Sequence, residues 1–247
     1  MKKLSLSASR QGEALRPSPP DILRKIVEVL LPVKELQSIS GYIYSDFEAN
    51  PSHDYLLPTV FTELDKLKVS LGDREARLFE LGCGNGSVAA KLGARGWDIT
   101  GIDPSVEGIE QASKAYPALK LAQGSAYDDL VETYGTFPVL MSLEVVEHVY
   151  APRDYAKSAF NLLEPGGTAI FSTPYHGYLK NLAMAVTGKM DAHFTALWDH
   201  GHIKFWSEKT LTELLVEAGF EAPRYLKVGR IPALAKSMIA IARRPRA

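Results

Sequence analysis

From Arg77 onward the chain alternates short apolar runs with longer amphipathic stretches. The runs Leu78–Leu81, Asp98–Ile102, Leu119–Gln123, Val139–Ser142 and Thr168–Ser172 read as strands. The stretches near Ser87–Gly93, Ser105–Tyr116, Tyr127–Tyr134 and Arg153–Leu163 read as helices. Strands alternating with helical patterns predict βαβ units and a parallel sheet with helices on both faces. Glu164-Pro165-Gly166-Gly167 reads as a turn that ends one helix and sets up the fifth strand. A further helix, Glu208–Ala218, follows Ser207 as N-cap and stops at Gly219. Arg224–Val228 and Ser237–Ala242 predict two late strands that close the sheet as a hairpin pair at one edge.

The N-terminal part lacks this alternation. Residues 1–20 are polar, end Arg16-Pro17-Ser18-Pro19-Pro20, and read as a flexible arm. Asp21 caps an amphipathic helix from Ile22 to Leu31 that Pro32 stops. A tyrosine-bearing loop, Gly41–Phe47, and a helix from about Thr59 to Lys68 complete a helical cap over 21–74, with the α/β domain at 75–247. The segment Tyr175–His202 interrupts the α/β pattern, and connections that long are often lids or binding elements. Lid, peripheral membrane contact and packed surface helix all stay open for it.

The chain has 247 residues, enough for one large domain with a cap, and a formal net charge of -1. That balance gives no electrostatic case for nucleic acid or an anionic membrane as a partner. The single cysteine, Cys83, excludes an internal disulfide and fits a reducing, cytoplasmic compartment. Lys2 and Lys3 are followed by no apolar core, so no secretory leader is expected, and no run reaches the ~20 apolar residues of a membrane span.

Chemistry concentrates in two places. Leu78-Phe79-Glu80-Leu81-Gly82-Cys83-Gly84-Asn85-Gly86 reads as a buried strand, a glycine turn and a helix start. Glycines at alternate positions let the backbone turn tightly and approach a ligand. Free N–H groups at the following helix start suit a nucleotide. The acidic Glu80, and Asp103 ending the second strand, match a site whose acid holds ribose hydroxyls. Cys83 in the turn reads as a small packing residue. The second place is Ser142-Leu143-Glu144-Val145-Val146-Glu147-His148, after the fourth strand. If it turns helically, Glu144, Glu147 and His148 fall at i, i+3 and i+4 on one face. Two carboxylates and an imidazole converging there call for a cation or hydrogen bonds between them. Such ligands suit Mg, Mn, Fe or Zn.

Glu80–Gly86, Gly101-Ile102-Asp103-Pro104-Ser105 and Leu163–Gly167 together resemble the motifs of class I S-adenosylmethionine-dependent methyltransferases. The resemblance covers roughly residues 75–245. It implies a doubly wound, Rossmann-like, mostly parallel sheet of seven strands with an antiparallel edge strand. It also implies a donor site. Gly82, Gly84 and Gly86 would approach the methionine and ribose of S-adenosylmethionine, with Glu80 and Cys83 beside them. Asp103 would take the ribose hydroxyls next to Pro104, Ser125 and Ala126 would lie near the adenine, and Leu143 would close the site.

Ser142–Val149 resembles two groups within that class. One is the ubiquinone-biosynthesis O-methyltransferases, which methylate a catechol-type ring. The other is the small-RNA 2′-O-methyltransferases, whose metal is held by two glutamates and two histidines. The latter implies metal ligands Glu144, Glu147, His148 and His202, with Glu144 and His148 as the catalytic pair. The aromatics after His202 depart from that group's spacing, which keeps His200 as an alternative. Four readings of function stand at this point, the fourth a 2′-O-methyltransferase of RNA or a sugar. The first is an O-methyltransferase of a hydroxylated small molecule, catechol-like or a vicinal diol such as a sugar, with a divalent cation orienting it. The second is a metal-independent methyltransferase in which His148 is the base. The third is a module that binds the donor without transferring methyl.

Overall fold

The computed structural model describes residues 52–72, 74–199 and 201–246. The arm at 1–20, the helix at 22–31, the loop at 41–47 and His200 lie outside the described residues.

The described chain opens with α1 (His53–Leu71), then runs β1 (Arg77–Leu81), α2 (Ser87–Gly93), β2 (Asp98–Asp103), α3 (Val106–Ala115), β3 (Lys120–Gln123), α4 (Leu130–Tyr134) and β4 (Phe137–Leu143). It continues with α5 (Pro152–Asn161), β5 (Leu163–Pro174), α6 (Tyr178–Val186), α7 (Met190–Phe194), α8 (Glu208–Glu217), β6 (Arg224–Val228) and β7 (Ser237–Arg243). α1 begins earlier than the sequence suggests and carries Pro58 within it. α4 starts only at Leu130, where Asp129 caps it by accepting from the Glu132 N–H at 3.1 Å.

The strands form one sheet in the order β3-β2-β1-β4-β5-β7-β6. β3, β2, β1, β4 and β5 pair in parallel, and β7 is antiparallel to both β5 and β6. The antiparallel strand therefore stands one place in from the edge, and β6 forms the rim. Glu164–Gly167 does not precede β5 but lies within it as an irregularity. β4 pairs Phe137 with Leu163, then shifts register so that Val139 meets Thr168. Gly166, at φ +79°, donates its N–H to the Arg244 carbonyl, so the bulged residues stay tied to the chain's end.

Successive strand residues point to opposite faces, and both faces are covered by helices. Phe79, Leu140, Phe171 and Ala240 face Tyr155, Ala159, Leu211 and Leu215 of α5 and α8. Leu78, Val139, Ile170 and Ile239 face Leu56, Val60, Leu64 and Leu92 of α1 and α2. Between β1 and β4 the strand order reverses. In such sheets ligands bind outside the carboxyl ends of the strands at that point.

Candidate functional site

The glycine turn leaves β1 at this switch point. Gly82, Gly84 and Gly86 have φ of +88°, +53° and +75°, which only glycine adopts without strain. The N–H groups of Gly82 and Cys83 both donate to the Ile102 carbonyl, at 2.8 and 2.9 Å, pinning the turn to β2. Gly84 N–H donates to Asp103 Oδ2 at 2.9 Å and Ser105 N–H to Oδ1 at 2.8 Å. Asp103 is thereby fixed beside the turn. Burial raises its pKa, and these two N–H groups partly offset the rise. Glu80 is buried with Oε2 unpartnered among the described residues. Burial, and then the neighbouring Asp103, push it up to about 8. Cys83 is buried, its thiol pushed up by burial and then by Glu80 and Asp103. That environment makes it a packing residue, with its Cβ close against Gly101.

A cavity of about 1160 Å³ opens over the turn. The part over the turn is lined by Glu80, Gly82, Cys83, Gly84, Asp103 and Pro104, and by Ser125, Ala126 and Leu143, the residues that the resemblance implies for the donor. Gly86 is not part of the lining. A Cβ there would meet Leu121 Cδ1 at 2.7 Å and Ala112 at 3.1 Å, so this glycine serves the packing of α2.

Another part of the lining comes from the residues after β4, which do not form a helix. Glu144 is a bend at φ +55° and Val146–His148 a turn closed by His148 N–H on the Val145 carbonyl at 2.9 Å. The i, i+3, i+4 face is therefore absent. A non-glycine residue in the left-handed region stores strain, a feature that clusters at functional sites. Here it divides the two glutamates. Glu144 turns toward β5 and β7, where Oε1 accepts from Ser172 Oγ at 2.8 Å and Oε2 from Ser237 Oγ at 3.5 Å. Burial raises it to about 7, opposed by those hydroxyls and by Lys180. Glu147 points the other way and is 1% exposed, with neither carboxylate oxygen in a hydrogen bond of ordinary geometry. Burial, and then Glu144, push its pKa up; the loop's own backbone and the Thr173 hydroxyl ease this slightly.

His202 reaches Glu147 because its segment is clamped there. The N–H groups of Ile203 and Lys204 donate to the Glu147 carbonyl at 2.9 and 3.0 Å, and Trp206 Nε1 donates to the Val146 carbonyl at 3.0 Å. His148 and His202 stand edge to face with centroids 4.9 Å apart, and Trp198 packs against both. Ligand atoms of Glu147, His148 and His202 all lie within 4.8 Å of one another. Burial, then His148, lower His202 to about 4, so its imidazole is neutral and keeps a lone pair near pH 7. Its 4.0 Å approach to Glu147 is accordingly no ion pair. Glu144 stands outside this group of three.

The insertion contributes walls the sequence did not assign. Lys180, Ala183, Met184 and Thr187 of α6 and its C-cap line the cavity, as does Trp198. Tyr55, Arg230, Lys236 and Ser237 line it from α1 and the β6–β7 end. A lone lysine in the apolar run Tyr178–Val186 was the available signal. Among the described residues no helix is long and apolar enough to cross a membrane.

A glycine turn with paired acids at the switch point of this strand order is what a methyl-donor site requires, and residues 57–223 match the model of the methyltransferase domain family. The chain belongs to that family. It is 30% identical over 183 residues to the ubiquinone biosynthesis O-methyltransferase of Cereibacter sphaeroides, covering 70% of this chain and 72% of that one. The enzyme of the same description from Psychrobacter arcticus is 29% identical over 150 residues, 58% of each chain. Among solved structures, magnesium protoporphyrin IX methyltransferase of Synechocystis with bound S-adenosylhomocysteine shares the fold. Its TM-score is 0.55 at 18% identity, over 81% of this chain and 90% of that one. An S-adenosylmethionine-dependent methyltransferase of Mesorhizobium loti matches at TM-score 0.55 and 18% identity, over 73% and 96%. This methyltransferase uses S-adenosylmethionine as donor.

Proposed function

We propose that this methyltransferase methylates a hydroxyl of a small molecule bearing adjacent oxygens, a catechol, quinol or vicinal diol, beside a divalent cation. The observation that carries the reading is Glu147: a carboxylate whose two oxygens are buried without partners, next to His148 and a neutral His202. Buried acids are paired or coordinate metals. Glu147, His148 and His202 would hold the ion, while Glu144 stands apart from them, held by Ser172 and Ser237. Oxygen and imidazole donors suit Mg²⁺, Mn²⁺, Fe²⁺ or Zn²⁺. When bound, such an ion lowers the pKa of a coordinated hydroxyl.

The chain's own residues supply positioning and a proton acceptor. The glycine turn and Asp103 hold the donor, with Ser125 and Ala126 at its far end. Glu144, whose carboxylate lines the same cavity, takes the hydroxyl proton, and His148 takes that role where no ion is bound. The oxygen lone pair forms the bond to the methyl carbon as the sulfur–methyl bond breaks. The released electron pair converts the sulfonium to a neutral thioether. This is an in-line displacement, so alignment is most of what the protein must provide. Trp198 and the walls from α6 cover the site. Tyr178, Leu179, Val186 and Leu197 remain exposed on the same insertion, which supports a peripheral contact with a lipophilic surface, testable by vesicle flotation.

The test is methyl transfer to a panel of catechols and diols before and after exhaustive chelation, with each divalent ion added back. Loss on chelation and recovery with one ion is the expected result. Full activity after chelation would overturn the metal, and leave His148 as a metal-independent base.

A further inference from the structure

Four cationic side chains line the cavity, and none of them is held in an ion pair with a described residue. Lys180, Lys189, Arg230 and Lys236 all line it. Lys189, Arg230 and Lys236 are exposed to solvent, whereas Lys180 is buried, so the missing counter-ion matters most there.

Lys180 is the informative member. Its residue is 7% exposed on α6, in the middle of an apolar run. A buried ammonium is costly unless paired and hydrogen-bonded. Nζ donates to the Lys236 carbonyl at 3.2 Å. Arg230 pushes against it electrostatically, and Glu144 attracts it. Glu144 is already held by Ser172 and Ser237. The Lys236 ammonium lies 4.9 Å from the centroid of the Tyr55 ring, and Tyr55 Oη is 3.3 Å from Ser237 Oγ. This chain of contacts runs from Lys180 through Lys236, Tyr55 and Ser237 to Glu144. It sets the cations beside the acceptor segment, whereas the donor turn is tied to Asp103 and Ile102.

Resting on the acceptor reading above, we infer that the acceptor carries an anionic group, a carboxylate or a phosphoryl, which Lys180 and Arg230 hold while a neighbouring hydroxyl faces His148. An ammonium and a guanidinium converging on one cavity wall make charge-assisted hydrogen bonds to either group. The paired cation and hydroxyl sites would select an acidic catechol or diol over its neutral counterpart.

The test uses the full chain loaded with S-adenosylhomocysteine. Calorimetry measures the binding of 3,4-dihydroxybenzoate, its methyl ester and 3,4-dihydroxyphenyl phosphate, and methyl transfer from S-adenosylmethionine is assayed in parallel. At least one anion should bind about 10- to 100-fold tighter than the ester, as expected for hydrogen bonds to a charged group. The tighter of the two identifies carboxylate or phosphoryl. Lys180→Met and the exposed-site variant Arg230→Gln should each erase that preference and leave S-adenosylhomocysteine binding unchanged. An ester that binds as well as both anions overturns the inference. So does weakening of all ligands alike by Arg230→Gln and Lys180→Met, which makes the cations mere counter-charges to Glu144. Loss of S-adenosylhomocysteine binding also overturns it, by assigning them to the donor's own carboxylate. If the anions bind preferentially but none is methylated, the inference stands and the acceptor reading falls. If acid and ester are bound and methylated equally, the reverse holds.

Discussion

His202 Nε2 lies 4.0 Å from Glu147 Oε1, and the backbone on either side locks the two residues together. Because Ile203 and Lys204 donate to the Glu147 carbonyl, the two backbones cannot part without breaking hydrogen bonds. The site is therefore pre-formed. His202→Ala removes one candidate ligand and leaves those backbone bonds in place. Turnover is expected to fall on the order of 100-fold or more and divalent-cation affinity with it, while donor affinity stays within about twofold. Turnover kinetics and cation titration by calorimetry check both halves. Unchanged values for both would remove His202 from the site.

Glu147→Gln tests the buried carboxylate itself. The acid is 1% exposed, burial favours its neutral form, and an amide of the same shape keeps the packing while removing the carboxylate that an ion would need. The metal-free variant should be as stable as wild type or more so, by up to about 1 kcal/mol. It should also lose the rise in melting temperature that a bound divalent ion gives the wild-type protein. A variant that retains that rise would show that the ion binds elsewhere.

The strands and most helices were legible because each carries its own local signal: an apolar run, an N-cap at Ser105 or Ser207, a glycine stop. The donor turn was legible for the same reason, since Glu80 to Gly86 is contiguous in sequence. The acceptor segment was legible in its residues but not in its shape. Strand β4 runs straight into a left-handed Glu144, and no local pattern announces that a non-glycine residue will be held at φ +55° by Ser172. What it faces depends on β5 and β7, which are distant in sequence. The cationic wall was illegible because Lys180, Arg230 and Lys236 lie on separate elements and meet only through the packing of α6 against the β6–β7 turn.

Buried acids predict an alkaline loss of stability in the metal-free, donor-free protein. Glu80 and Glu144 have folded pKa values of about 8 and about 7, and Glu147 is also raised. Above the usual carboxylate range the folded state thus holds protons that the unfolded state has released, so stability falls as pH rises toward 8. His53, His176 and His202, lowered to about 4, act in the opposite sense, but only between about 4 and their ordinary value near 6.5. From pH 6.5 to 8 the acids dominate, and toward pH 8 Lys180, lowered to about 8, begins to oppose them. The urea midpoint should decline over that window, and Glu80→Gln should flatten the decline. A midpoint independent of pH from 6.5 to 8 in the wild-type protein would contradict the placement of these groups.

Gly82 couples the donor turn to the acceptor segment. It stands at φ +88°, and a Cβ there would lie 2.4 Å from Val145 Cγ2, on the residue that follows Glu144. Gly82→Ala therefore imposes backbone strain and a clash together, each on the order of 1–3 kcal/mol. The Gly82 N–H is held by the Ile102 carbonyl, so relief must come from displacement of Val145 and the residues beside it. The variant should weaken S-adenosylhomocysteine binding at least about tenfold, which corresponds to ~1.4 kcal/mol. It should also lower cation affinity at Glu147, His148 and His202, although it touches none of them. Calorimetric titrations of the two ligands separate the effects. Loss of donor binding with cation affinity intact would show that the turn and the acceptor segment respond independently, and that Val145 gives way alone.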